Sequence, residues 1–295
     1  MPKPIRRVAI FATFHTRPSV AMARRLVSWL ERHGVGVQLP TDNAAQIGRP
    51  DLGVDLAEVA KGVGLVIALG GDGTLLGAAR AAWRHDAPVM GVHAAGFGFL
   101  SEVSQKDLIA RLPPILAGEF RVQRRLMVQG DIIRGGRKLE SLVGLNDVTV
   151  TVGAFSRLVW FITRVEGCHV GDLPADGIIV STPTGSTAYC LAAGGPIVSP
   201  QNEALVVVPI CPHTLSARPL VVLPKHRVEI EVPPLGPNEE VMVTADGQVG
   251  RALQSGDIVR VTQAPRRVRL VTLGDSFYER LKTKLRWGVH ASRTH

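Results

Sequence analysis

Residues 65–69 form an unbroken apolar run, Leu65-Val66-Ile67-Ala68-Leu69, that leads directly into Gly70-Gly71-Asp72-Gly73-Thr74. A run this short and apolar on both faces reads as a strand buried within a sheet. Three glycines within four positions let the chain turn sharply and leave backbone amides open to a phosphate. Beyond the turn, residues 75–83 have helical spacing, and Thr74 stands where an N-cap belongs. The neighbouring sequence repeats this alternation. Runs at 8–12, 35–39 and 89–92 read as strands, 19–32 as a helix closed by Gly34, and 52–60 as a weaker helix. Strands separated by helices imply βαβ units, a parallel sheet, and ligand turns at the carboxyl ends of its strands.

A turn that binds phosphate gains nothing from a negative charge, so Asp72 needs a separate reason to be there. Chemistry supplies one: a base that accepts a proton from a hydroxyl while the turn holds the phosphoryl group under attack. The plainer alternative is a tight strand-to-helix turn. The stretch is not a Walker A loop, since no Gly-Lys-Ser/Thr follows, and its glycine spacing is not that of the dinucleotide fingerprint.

The texture changes near Gly118. Residues 106–117 are helical, limited by Pro113-Pro114, and then come short β-rich runs at 139–145, 148–152, 158–165, 177–181, 205–210, 228–232, 241–245, 257–262 and 268–273. Residues 277–287 close the chain as a basic amphipathic helix, expected to pack on the first part with its Lys/Arg face solvated. With 295 residues, two domains is the better expectation, and 45% hydrophobic content suffices for packed cores.

The net charge of +9 arises from 34 Lys and Arg against 25 Asp and Glu, with basic pairs scattered along the chain. Scattered basic residues suit a small polyanionic ligand; with few aromatics to stack on bases, a nucleic-acid partner is not expected. Cys168, Cys190 and Cys211 are an odd, widely spaced set without Cys-x-x-Cys, which points to a reducing compartment and no structural metal. No apolar segment is long enough to span a bilayer or to act as a signal-peptide core, so a cytoplasmic location is expected and a membrane partner is not.

Three further stretches carry chemistry. From Asp176 a strand leads into Ser181-Thr182-Pro183-Thr184-Gly185-Ser186-Thr187-Ala188-Tyr189, a hydroxyl-rich turn that enters a helix near Thr187. Hydroxyls and free amides at a helix entrance suit a nucleotide, and Tyr189 offers a flat face for a base; a merely capped turn is the alternative. Asn146-Asp147 sits between two strand runs, where a hairpin turn is the ordinary reading. Gly96-Phe97-Gly98-Phe99-Leu100 follows a strand as a flexible loop or a packed turn. His213, beside Pro212, reads as part of a structural turn, and Cys190 as packing.

Together these stretches resemble the NAD kinase family. The matching pieces also include Ile210-Cys211-Pro212-His213-Thr214-Leu215 with Arg218-Pro219, Asp246-Gly247-Gln248 and Lys284-Leu285-Arg286-Trp287-Gly288, in family order from Leu65 to Gly288. The glycine–aspartate turn is shared with lipid kinases and phosphofructokinases, whereas the stretch ending at Tyr189 is far more specific. The resemblance implies a Rossmann-like α/β domain over 1–118 and a β-rich, sandwich-like domain over 119–275. It also implies a helix over 276–288 packing back on the first, and assembly as a homodimer or homotetramer. It implies transfer of a phosphoryl group from ATP to the 2′-hydroxyl of the adenosine ribose of NAD, with a divalent cation such as Mg²⁺. In that family the motif aspartate, here Asp72, is the proton acceptor, and Gly70, Gly71, Gly73 and Thr74 belong to the nucleotide turn. Asn146, Asp147, Asp176, Thr184, Thr187, Ala188, Tyr189, Cys190 and Leu191 correspond to NAD-binding positions, as do Arg157 and Gln248.

Three positions depart from the family pattern. Gly77 stands where many relatives carry Arg or Lys, His93 where an Asn is usual, and Pro174-Ala175 where a basic residue commonly precedes the Asp-Gly pair. Arg80 or Arg84 is expected to compensate. Two rival readings remain at this point: a lipid or sugar kinase sharing the glycine turn, and a non-catalytic NAD-binding regulator.

Overall fold

The computed structural model describes residues 4–13, 17–93, 98–153, 159–274 and 276–286. The chain divides into two units, Met1–Arg124 with Val268–His295, and Arg125–Arg267.

The first unit is built on a sheet containing β1 (Arg7–Ala12), β2 (Gly36–Pro40), β3 (Gly53–Val54), β4 (Leu65–Leu69), β5 (Pro88–His93), β6 (Ser101–Ser104) and β7 (Arg121–Arg125). The strand Val268–Thr272 lies between β5 and β7, so the order runs β3-β2-β1-β4-β5, that strand, β7, with β6 also against β5. Neighbours from β3 through β5, and β5 with the late strand, are parallel. Strand order therefore reverses between β1 and β4. In open α/β sheets that reversal opens a crevice beyond the strands' carboxyl ends, where ligands bind.

The helices of this part are α1 (Arg17–Arg32), α2 (Thr41–Gln46), α3 (Asp72–Ala82) and α4 (Leu108–Leu116). In α1, Ala23, Leu26, Val27 and Leu30 recur at helical spacing and are fully buried. The helix expected over 52–60 is absent. A short 3₁₀ turn (Pro50–Leu52), β3 and further turns take its place. Only the adjacent Val59 and Ala60 are buried there, so no helical face exists to bury, and the Asp55 side chain accepts the Ala57 N–H at 2.8 Å. Pro113 and Pro114 lie inside α4 instead of limiting it; both are exposed, and neither has an N–H to donate to the helix.

The second unit is a sandwich of two antiparallel sheets. Its strands are β8 (Val128–Arg134), β9 (Arg137–Gly144), β10 (Asp147–Val152), β11 (Val159–Val165), β12 (Cys168–Ala175) and β13 (Gly177–Ser181). They continue as β14 (Leu205–Ile210), β15 (Leu220–Val222), β16 (Val228–Glu231), β17 (Val241–Ala245), β18 (Val249–Leu253) and β19 (Ile258–Gln263). One sheet runs β15-β14-β13-β10-β17-β18 and the other β12-β11-β16-β19-β8-β9. Alternate residues meet between them: Val148, Val180 and Val207 from the first, Phe161, Ile230 and Val259 from the second. On the outer side of the first sheet, Ile179, Val206 and Val208 pack with Cys190 of the one-turn helix α5 (Tyr189–Ala192).

The chain then returns to the first unit as β20 (Val268–Thr272) and α6 (Phe277–Leu285). By sequence β20 looks like one more of the β-rich runs, yet it pairs in parallel with β5.

Candidate active site

In the first unit, Gly70 leaves β4 with its N–H bonded to the Val92 carbonyl at 2.9 Å, and Gly71 caps α3. Thr74 is not the cap. It lies in the first turn of α3, and its hydroxyl meets that of Thr13 at 2.6 Å across the ends of β1 and β4, at the point where strand order reverses. Gly70 has no room for a side chain, since a Cβ would fall 2.9 Å from the Thr74 Cβ, whereas Gly71 faces open space.

Asp72 opens α3, where the helix dipole favours its charge. Its Oδ2 accepts the Phe99 N–H at 2.9 Å and its Oδ1 the Leu100 N–H at 3.3 Å. A carboxylate has about four acceptor sites, so two amides fix its orientation and leave capacity for a substrate hydroxyl. The loop reaches Asp72 because of Gly98: a Cβ there would overlap the carboxylate. His93, at the end of β5, is buried. Burial first, then the Lys284 ammonium, hold its imidazole below the usual range, while Asp107 and Asp72 pull it upward.

In the second unit two turns are knitted into one surface. Residues 145–147 carry the chain from β9 in one sheet to β10 in the other, so they are not a hairpin. Asp246, in the left-handed turn between β17 and β18, gathers their amides. Its Oδ1 accepts the Asn146 N–H at 2.7 Å and the Asp147 N–H at 3.4 Å, and its Oδ2 accepts the Leu145 N–H at 3.1 Å. From the other side, Thr182 donates its hydroxyl to the Leu145 carbonyl at 2.6 Å and its N–H to the Asn146 carbonyl at 2.8 Å. Gly185 packs on the Asn146 backbone so closely that no Cβ could fit.

Most hydroxyls of the Ser/Thr-rich turn are therefore structural. Ser181 donates to the Asn146 carbonyl at 3.2 Å, and Ser186 donates to the Pro183 and Val198 carbonyls at 2.7 and 3.1 Å. The helix expected near Thr187 is a 3₁₀ turn (Gly185–Thr187) followed by the single turn α5. What the surface presents outward is Tyr189, 47% exposed, with Gln248 also exposed; Asp176 is exposed too, but at the opposite end of β13, where its carbonyl accepts the Val152 N–H at 3.0 Å. Thr184 is buried, its hydroxyl 3.4 Å from the Arg125 Nη1 donor, while Thr187, Ala188 and Leu191 are half-buried around it. Asn146 Oδ1 is buried without a hydrogen-bond partner among the described residues. A buried acceptor of this kind costs free energy unless a donor reaches it.

Asp147 is 4% exposed. Burial pushes its carboxyl up to about 6, the Asp246 carboxylate adds to the rise, and the Thr149 hydroxyl opposes it. Cys190 is packed inside, and burial raises its thiol to about 11, far from reactive. Arg157 and Phe97 lie outside the described residues. Asp246 is not among the site residues expected from the sequence, although Asp246-Gly247 after a strand run is a turn signal whose carboxylate can bond backbone amides.

The chain matches the profile of the ATP-NAD kinase N-terminal domain over residues 8–120 and that of the ATP-NAD kinase C-terminal domain over residues 145–273. The chain belongs to the NAD kinase family. Among its relatives, the NAD kinase of Moorella thermoacetica is 42% identical over 285 residues, covering 96% of this chain and 90% of its own. That of Citrifermentans bemidjiense is 39% identical over 287 residues, covering 96% and 99%. Yeast NADH kinase, solved in complex with NADH, superposes with a TM-score of 0.87 at 25% identity, covering 99% of this chain and 91% of its own. An NAD kinase from Archaeoglobus fulgidus, solved with ATP, has the same fold, with a TM-score of 0.71 at 24% identity.

Against that family's pattern, Gly77 is a half-buried position inside α3. Arg84, expected to substitute for the missing cation, lies with its guanidinium 5.4 Å from the centre of the Trp83 ring. Pro174 and Ala175 are buried at the end of β12, where the Pro174 carbonyl accepts the His213 N–H at 2.8 Å. His213 thus takes part in a structural turn through its backbone.

Proposed function

We propose that this NAD kinase moves the terminal phosphoryl group of ATP to the 2′-hydroxyl of the adenosine ribose of NAD, giving NADP, with Asp72 as proton acceptor. The hydroxyl oxygen bonds to the γ-phosphorus, the bond to the ADP oxygen breaks, and the hydroxyl proton passes to the Asp72 carboxylate. An ordinary carboxylate is too weak a base to ionise a sugar hydroxyl beforehand, so it accepts the proton late, once the new phosphorus–oxygen bond is forming. The observation that carries this reading is the Asp72 carboxylate itself. It stands where strand order reverses in the sheet and is held by the Phe99 and Leu100 amides, with acceptor capacity left over.

On this reading the turn at 70–74 receives phosphate, and Asn146, Asp147, Asp176, Thr184, Tyr189 and Gln248 bind NAD. The partnerless Asn146 Oδ1 supports this, because it suits an N–H or O–H donor from the dinucleotide. Among the described residues no group of three or more His, Cys, Asp or Glu side chains forms a cation cage. A divalent cation is assigned to the substrate, as Mg²⁺ carried on ATP phosphate oxygens, where it neutralises charge.

Purified protein supplied with NAD, ATP and Mg²⁺ is expected to yield NADP in an NADP-specific coupled reaction. Labelled ATP offered with lipid or sugar in place of NAD is expected to leave both unlabelled. Label in either, or NAD binding with no turnover, would overturn the reading. A cytoplasmic location and a homodimer or homotetramer belong to the same proposal. The three cysteines, none in a disulfide, support the first, and light scattering tests the second. No helix among the described residues is long and apolar enough to cross a membrane.

A further inference from the structure

The loop that holds Asp72 is itself held from the far end of the chain. Arg280, in α6, donates from Nη1 to the Phe99 carbonyl at 2.9 Å. Its Nη2 pairs with Glu102 Oε1, and the other Glu102 oxygen accepts the Leu273 N–H at 2.9 Å. The two side chains are 8% and 7% exposed. Phe99 is therefore gripped on both sides, its N–H by Asp72 and its carbonyl by Arg280. The helix that carries Arg280 is firmly seated. Ser276 and Glu279 form a reciprocal cap at its start, and Leu281 is buried beside the arginine.

A buried ion pair contributes little net stability, because removing two charges from water costs about as much as their attraction returns. An apolar pair of similar volume would fill the space equally well. What it could not do is bind a carbonyl. We propose that Arg280 and Glu102 are positioning residues for the Asp72 carboxylate: they fix the Phe99 peptide, and that peptide fixes the rotamer and reach of the base. Neither touches the reacting atoms. Displacing a base by about 1 Å can cost on the order of 100-fold in rate, so a device that holds a loop residue from a separate helix has a kinetic purpose. The inference rests on reading Asp72 as proton acceptor.

The test compares Arg280→Met, the double variant Arg280→Met with Glu102→Leu, Arg280→Lys and Asp72→Asn, by thermal unfolding and by steady-state kinetics with NAD varied. Arg280→Met strands a buried carboxylate and is expected to melt roughly 10 °C lower. The double variant is expected to regain most of that loss while its kcat stays about 10- to 100-fold below wild type, with KM for NAD changed by less than about threefold. Lysine keeps the charge but cannot fork to both partners, so Arg280→Lys is expected to fold and to recover only part of kcat. A double variant with restored melting and near-wild-type kcat would overturn the proposal. Should the double variant fail to fold, full kcat in Arg280→Lys would do the same. Asp72→Asn separates the two levels: wild-type turnover there defeats the reading of Asp72 itself, whatever the other variants do.

Discussion

At the scale of single residues, three aspartates divide the work by environment. Asp72 is half-exposed and oriented by amides, Asp246 spends its acceptors on the turn at 145–147, and Asp147 is sealed beside it. Because burial and the Asp246 charge push the Asp147 carboxyl up to about 6 from an ordinary 3.8, the native state keeps a proton that the unfolded chain has already released. Stability from this group is fully present below about pH 4 and is lost as pH rises through 6. Asp147→Asn removes that dependence. Urea titrations should find the variant's unfolding free energy, relative to wild type, greater by about 2–3 kcal/mol at pH 7 than at pH 4. A difference that does not change with pH contradicts the assignment. Asp72 was legible in the sequence because a carboxylate among glycines behind a strand has few structural uses. Asp246 was not, because nothing local says which amides a turn carboxylate will gather from 100 residues away.

At the scale of elements, the site consists of turns whose shapes depend on missing side chains and shared backbone. Gly98→Ala would drive a methyl group into the Asp72 carboxylate, so kcat is expected to fall by about 100-fold while melting shifts little. Asp246→Ala would leave the Leu145, Asn146 and Asp147 amides without their acceptor. It is expected to cost roughly 1–3 kcal/mol and to raise KM for NAD more than it lowers kcat. Unchanged KM would show that the turn does not bind the dinucleotide. Periodic elements were readable: β4, α1 and sandwich strands such as β11, β16 and β17 carry their burial pattern in the sequence, whereas β8, with Gly130 inside it, was missed. The short ones were not. α2 has six residues and is tied to β1 by the Asn43 amide, which bonds both the N–H and the carbonyl of Ala12, a tertiary contact with no sequence period. The edge strands β12 and β18 expose half or more of their residues and so lack an apolar signature.

At the scale of the whole molecule, the first unit is assembled from both ends of the chain. An apolar run such as 268–273 cannot announce which sheet it will join, since parallel and sandwich strands share one composition. The arrangement has a consequence for fragments. Residues 125–267 close their own sandwich core and are expected to unfold cooperatively alone, whereas residues 1–124 lack β20, the strand between β5 and β7. Circular dichroism should show a cooperative melt for the first fragment and none for the second until residues 268–295 are supplied; a cooperative melt of 1–124 alone contradicts it. The most direct test of Asp72 as proton acceptor is turnover by Asp72→Asn in the 295-residue protein, with NAD affinity measured by calorimetry. With Asp72 as proton acceptor, kcat is expected to fall by about 10²–10⁴ with NAD affinity nearly unchanged. A variant that makes NADP at the wild-type rate contradicts it.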